Sequence, residues 1–164
     1  MKDLLDVLTF AAALGCGLVA GIFFAFSTFV MRALGQIQQE KGIAAMQAIN
    51  VAVLNPWFFG AFFGTGVVCF AIAFLAWGNA IGSQQACLLV ACGLYLLGTI
   101  VVTMAGNVPL NDQLAAVGRG AEAQTLWGHY LSRWTLWDHV RTAASLTAAG
   151  LLTVSLWGGL LGDG

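Results

Sequence analysis

Charge is what this sequence has least of. Six Lys and Arg and seven Asp and Glu are scattered over 164 residues, for a formal net charge of −1. So sparse a set excludes the basic footprint of a nucleic-acid binder. With 60% of the residues hydrophobic, it also excludes the polar coat of a soluble domain. No glycine-rich phosphate-binding loop is present. The only histidines, His129 and His139, lie ten residues apart; on one helix they differ by about 80° and about 15 Å, too far to ligate one ion. The cysteines Cys16, Cys69, Cys87 and Cys92 sit inside apolar runs without zinc-site spacing, so they read as small core residues and no metal site is expected. What remains is hydrocarbon, at a mean hydropathy of +0.88. The chain is expected to be an integral membrane protein.

Four apolar runs are long enough to cross a bilayer, at about 4–31, 56–77, 85–105 and 137–161. They predict an all-α, integral membrane four-helix bundle forming one domain over 1–164. Lys2 precedes the first run, but Asp3 and Asp6 spoil the basic flank of a signal peptide, so the run is expected to be retained. Gly17, Gly21 and Ala25 recur every four residues there, and Gly60 and Gly64 do so in span two. These small faces are expected to let the two spans pack closely. In the first connection, Ile43, Met46, Ile49 or Asn50, and Val53 fall at helical spacing over Gly42 to Leu54 and predict a short amphipathic helix near the interface. Asn55 before Pro56 reads as an N-cap with proline in the first helical turn. Trp57 and Trp77 stand at the two ends of span two as interfacial anchors.

The short uncharged turn Gly78 to Gln84 makes spans two and three antiparallel neighbours. Thr99, Thr103 and Asn107 continue one stripe of span three toward its polar end. In NVPLND, Pro109 is expected to bias Val108 toward an extended conformation and to kink or end the helix. The asparagines at such a break read first as caps. Two short helices, Leu110 to Val117 and Ala121 to Trp134, would follow, separated by Gly118 and Gly120. Arg32, Lys41, Arg119 and Arg133 fall in connections one and three, against Lys2 on the other side. Those connections are therefore expected in the cytoplasm and both termini outside, in an inner or plasma membrane.

The densest polar cluster is WTLWDHVRT, Trp134 to Thr142, at the mouth of span four. On a helix, Trp134, Trp137, Asp138, Arg141 and Ser145 share one stripe, while Thr135, His139 and Thr142 share another. Asp138 and Arg141 are placed to pair, as a structural lock or as part of a site. An even number of crossings brings Arg32, Asn107, Asn111, His139 and Arg141 to the same end of the bundle.

FSTFVMRAL at the end of span one, NVPLND after span three and WTLWDHVRT entering span four together resemble the anthrone oxygenase-like family of small four-helix membrane proteins, over essentially the whole chain. The resemblance implies oxidation of anthrones to anthraquinones without an evident cofactor, with molecular oxygen as co-substrate. It marks Asn107, Asn111, Trp134, His139 and Arg141 as the polar positions, and it has asparagine at the position of Asp138 at least as often. On this reading His139 is the base that removes a proton from the acidic methylene, and Arg141, Arg32, Asn107 or Asn111 holds the oxyanion. Trp134, Trp137, Trp57 and Phe23, Phe24, Phe26 and Phe29 stack the rings of the substrate. The expected partners are the lipid bilayer and a lipophilic small molecule, with a homo-oligomer among the states the chain admits. Two other classes stand beside this one. The first is a non-catalytic membrane protein that binds a lipophilic ligand or partner. The second is a small transporter, disfavoured because spans one, two and four hold almost no ionisable residue at mid-depth.

Overall fold

In the computed structural model, which describes residues 2–77, 83–118 and 121–161, the chain is all-helical among those residues. Five helices follow in order: α1 Lys2–Gln36, α2 Gln39–Ala52, α3 Pro56–Ala76, α4 Gln84–Ala116 and α5 Ala121–Leu161. Helices α1, α3 and α4 are each long and apolar enough to cross a membrane. Around the ring, α1 packs on α3 and α5, and α4 packs on α3 and α5. Each long helix thus buries two flanks and leaves the remainder to lipid, which explains the outward-facing Phe10, Leu14, Phe70 and Phe74. The turn expected over Gly78 to Gln84 lies mostly outside the described residues, as do Arg119 and Gly120.

Three helices are longer than a bilayer is thick, although α5, expected to hold a fourth span at 137–161, is not among those apolar enough to cross by the same measure. With 35, 33 and 41 residues at 1.5 Å each, α1, α4 and α5 extend about 50–60 Å, against about 30 Å of hydrocarbon. The surplus on α1, α4 and α5 gathers at one end. There α2 lays Ile43 and Met46 onto Leu110, Leu114, Trp127, Tyr130 and Trp134, forming a second apolar core. The first core, around Phe23, Phe62, Cys69, Tyr95 and Leu152, lies within the bundle. Three cysteines, Cys16, Cys69 and Cys92, are buried in it as free thiols. The amphipathic helix of the first connection is present. The two helices expected in the third are not separate elements: one is the tail of α4 and the other the head of α5.

Asn55 caps α3 as its sequence predicts. It is extended at φ −128° and ψ 157°, and its side chain accepts a hydrogen bond from the Phe58 amide at 3.0 Å. Pro109 behaves differently from expectation. Val108 is helical, not extended, and α4 runs through the proline without ending. The turns just before it, Leu96–Val101 and Thr103–Asn107, are π-helical, and the Val108 amide bonds back to the Thr103 carbonyl. This wider winding carries the chain past a residue that has no N–H to give. A further π-helical turn, Phe26–Val30, interrupts α1.

The glycine contact between α1 and α3 also differs from expectation. A Cβ added at Gly17, Gly21, Gly60 or Gly64 would meet nothing within 4 Å, so these glycines are not the close-packing face. The tight approaches are elsewhere. At Gly15 a Cβ would strike the Thr65 hydroxyl, and at Gly98 it would fall 2.6 Å from the Ala144 Cβ. Gly98→Leu is therefore expected to destabilise the bundle by about 1–3 kcal/mol, whereas Gly21→Leu leaves it unchanged. Thermal unfolding in detergent measures both, and equal losses would refute the assignment.

Candidate functional site

Between the two apolar cores lies a cavity of about 320 Å³. Its walls come from all five helices: Phe23 and Phe26 of α1, Met46 and Asn50 of α2, Phe58 and Phe62 of α3, Thr103, Asn107 and Asn111 of α4, and Trp134 and Arg141 of α5. The π-helical turns shape it, because Phe26, Thr103 and Asn107 all stand in them. The aromatic walls are mutually braced. Phe58 stacks on Phe62 at 5.6 Å between centroids, Phe62 meets Phe23 edge-on at 6.2 Å, and Phe26 tilts against Trp134 at 5.7 Å.

Arg141 is the charged group of this cavity. It is buried, ion-paired to the Asp138 carboxylate one turn earlier, and its Nη1 donates to the Thr103 hydroxyl at 3.1 Å. Its guanidinium lies over the Phe23 ring at 4.0 Å and near that of Trp134 at 5.2 Å, contacts that favour a cation held away from water. Asn107 donates from Nδ2 to the Trp134 carbonyl at 3.2 Å. It makes no side-chain cap bond, so the expected capping role is not the one it takes. Asn111 Oδ1 accepts from the Tyr130 hydroxyl at 2.8 Å and from Trp134 Nε1 at 2.9 Å, which fixes the indole against the cavity.

Among the described residues, two polar atoms of the lining side chains have no protein partner. Asn107 Oδ1 is a free acceptor and Arg141 Nε a free donor, both buried. A buried polar group left unpaired costs about 1–3 kcal/mol, and both of these belong to residues that also line the cavity. The second carboxylate oxygen of Asp138 is likewise unpartnered.

The residues singled out in the sequence divide into two sets. Asn107, Asn111, Trp134, Arg141 and Phe26 converge on the cavity. His139 and Arg32 do not. Both are exposed and border a separate open groove of about 750 Å³ between α1 and α5, with Thr28 and Thr135. His139 follows Asp138 and precedes Arg141 by two residues, which on a helix turns it to another face. Trp137 is half-buried with its ring against Gly106, where a Cβ would fall 2.8 Å from it, so it packs helices and does not line the cavity. Trp57 is 89% exposed, outside any site and suited to interfacial anchoring. Phe24 and Phe29 face outward too. Sequence reasoning missed Phe58, Phe62, Met46 and Tyr130. Only Tyr130 left a signal, standing four residues before Trp134 on the same face. Among the described residues no three His, Cys, Asp or Glu side chains gather as a metal site.

The family model described as anthrone oxygenase matches residues 56–151. That is more than half of the chain, which belongs to this family. The matched stretch supplies Asn107, Asn111, Trp134, Asp138 and Arg141, while Phe23 and Phe26 lie before it. No curated protein and no solved structure matches the chain.

Proposed function

We propose that this member of the anthrone oxygenase family is a membrane-bound oxygenase. It oxidises an anthrone-like or similar lipophilic aromatic substrate with dioxygen in the cavity between the two cores. The observation that carries this reading is an aromatic-walled cavity lined by Arg141, a buried cation held by Asp138 and Thr103. About 320 Å³ falls within the range of small-molecule sites, about 300–1,000 Å³. Phe26, Phe58, Phe62 and Trp134 offer ring faces to a flat substrate, and a carbonyl oxygen is an acceptor that the Arg141 guanidinium can bind.

The chemistry uses that cation directly. An anthrone carries a methylene whose loss of a proton leaves a delocalised enolate, with negative charge on the carbonyl oxygen. A fixed guanidinium aimed at that oxygen stabilises the charge as it develops, in a site screened from water. Binding the enolate more tightly than the ketone makes the substrate itself more acidic in the site, so no strong base is needed, and the proton lost is taken back by the peroxide anion that dioxygen addition forms. The carbanion adds dioxygen, and loss of water leaves the second carbonyl: one methylene and one O2 give one carbonyl and one H2O. The substrate supplies the electrons, and the scheme includes no metal or organic cofactor.

Orientation is part of the same reading. Arg32, Lys41 and Arg133 stand at the capped end of the bundle and Lys2 at the other, which favours a cytoplasmic cap with both termini outside. The test is conversion of anthrone to anthraquinone by purified protein in lipid, followed by oxygen uptake and product chromatography. Product formed no faster than with heat-denatured protein would overturn the oxygenase and leave a lipophile-binding membrane protein. His139→Gln is expected to keep turnover within about twofold of wild type, since an exposed side chain off the cavity contributes little. A hundredfold loss would restore it as the base.

A further inference from the structure

The cavity has a graded rim. Of its polar liners, Asn107 and Arg141 are buried, at 1% and 4% exposure, and Asn50, Thr103 and Asn111 are half-buried. Its outward-facing liners are all apolar: Leu54, Phe59, Phe63 and Met104, at 64%, 39%, 42% and 53%. An opening to water would carry polar groups at its edge, because exposed apolar rims are costly there. An opening to hydrocarbon would look like this one.

The helix packing shows where the gap lies. Helix α3 packs on the first part of α4 and on the π-helical turn Leu96–Val101. Beyond that turn the two helices part, and Phe59 and Phe63 of α3 stand with Met104 of α4 around the cavity. Helices α3 and α4 are long and apolar enough to cross a membrane, and Phe59, Phe63 and Met104 lie on them short of the cap segment Val108–Ala116, which favours a gap facing acyl chains.

We infer that the cavity is loaded sideways from the bilayer, through a portal between α3 and α4 rimmed by Phe59, Phe63 and Met104. The ligand it admits is a flat, uncharged aromatic molecule already dissolved in lipid. The inference rests on the cavity being the ligand site, as proposed above. Charged or strongly hydrated analogues are excluded at the rim, before they reach Arg141.

The test uses the full chain in phosphatidylcholine nanodiscs, with anthraquinone as the binding probe and anthrone plus dioxygen for turnover. Met104→Trp narrows the rim. Val101→Trp adds the same bulk at an exposed position of α4 that does not line the cavity. By rapid mixing with tryptophan quenching, Met104→Trp is expected to slow anthraquinone association and dissociation together, each by about tenfold. Kd stays unchanged, because a door alters both directions equally, and Val101→Trp matches wild type. For turnover, kcat/KM falls by more than kcat does. Unchanged rates in Met104→Trp, or a change in Kd carried by dissociation alone, would overturn the portal while leaving the oxygenase intact. Altered rates without any anthrone oxidation would support the portal and overturn the oxygenase. A wild type that takes up no anthraquinone would overturn both.

Discussion

Neutralising the buried pair with Asp138→Asn/Arg141→Gln is expected to lower anthrone turnover by on the order of 10² to 10³. Anthraquinone binding should change far less. Both partners are exchanged so that no bare charge is left in the core, which makes the loss of rate a measure of electrostatics and not of folding. Glutamine retains a donor for the substrate oxygen but no fixed positive charge, and it is charge that distinguishes an enolate from the neutral ketone. The effect should therefore appear in kcat more than in KM. Arg141→Lys keeps the cation, loses the planar fork that reaches Asp138 and Thr103 together, and is expected to cost less. A folded double variant with wild-type turnover would remove Arg141 from the chemistry.

The stripe containing Arg141 was legible in the sequence, and so was its separation from His139. Of the expected stripe, Trp134, Asp138, Arg141 and Ser145 are buried on one face of α5 and Trp137 is half-buried against Gly106, as a spacing of three and four favours. Ser145 even finds the Thr99 hydroxyl of α4 at 2.7 Å. His139 sits on the other stripe and points away from the cavity. Its imidazole has the chemistry of a base, but its stripe carries it to the open groove between α1 and α5. The Asn55 cap and the apolar face of α2 were equally local, decided by residues within one or two turns, and both are present.

What the sequence did not show depends on how helices rotate and wind against one another. Of 21 glycines, many recur every four residues by frequency alone. Whether Gly21 or Gly98 meets a neighbour is set by the rotation of each helix about its axis, which no local signal records. The π-helical turns are the other case. Pro109 reads as a break because a regular α-helix cannot pass it freely, but Thr103–Asn107 winds wider. That same winding turns Asn107 inward with an acceptor to spare. The second core follows, since α4 continues for nine residues past its last π-helical turn, over Val108–Ala116.

Replacing Asp138 alone with leucine is expected to destabilise the protein by about 3–5 kcal/mol, the usual cost of leaving one member of a buried ion pair bare. Arg141 would then face Phe23 and Trp134 with only the Thr103 hydroxyl as a hydrogen-bond partner. Ring faces and one hydroxyl do not replace a carboxylate for a group 4% exposed. The double variant Asp138→Leu/Arg141→Met removes both charges in favour of side chains of similar volume. It is expected to recover most of that loss, because the pair's mutual attraction is largely offset by what burying it costs. Thermal unfolding in detergent, read for wild type, both single variants and the double, gives the coupling energy directly. Additive losses would mean that Asp138 and Arg141 are stabilised by separate surroundings. The ion pair would then not be what holds the guanidinium at the cavity wall, and its fixed geometry would have to come from Thr103 and the two aromatic rings alone.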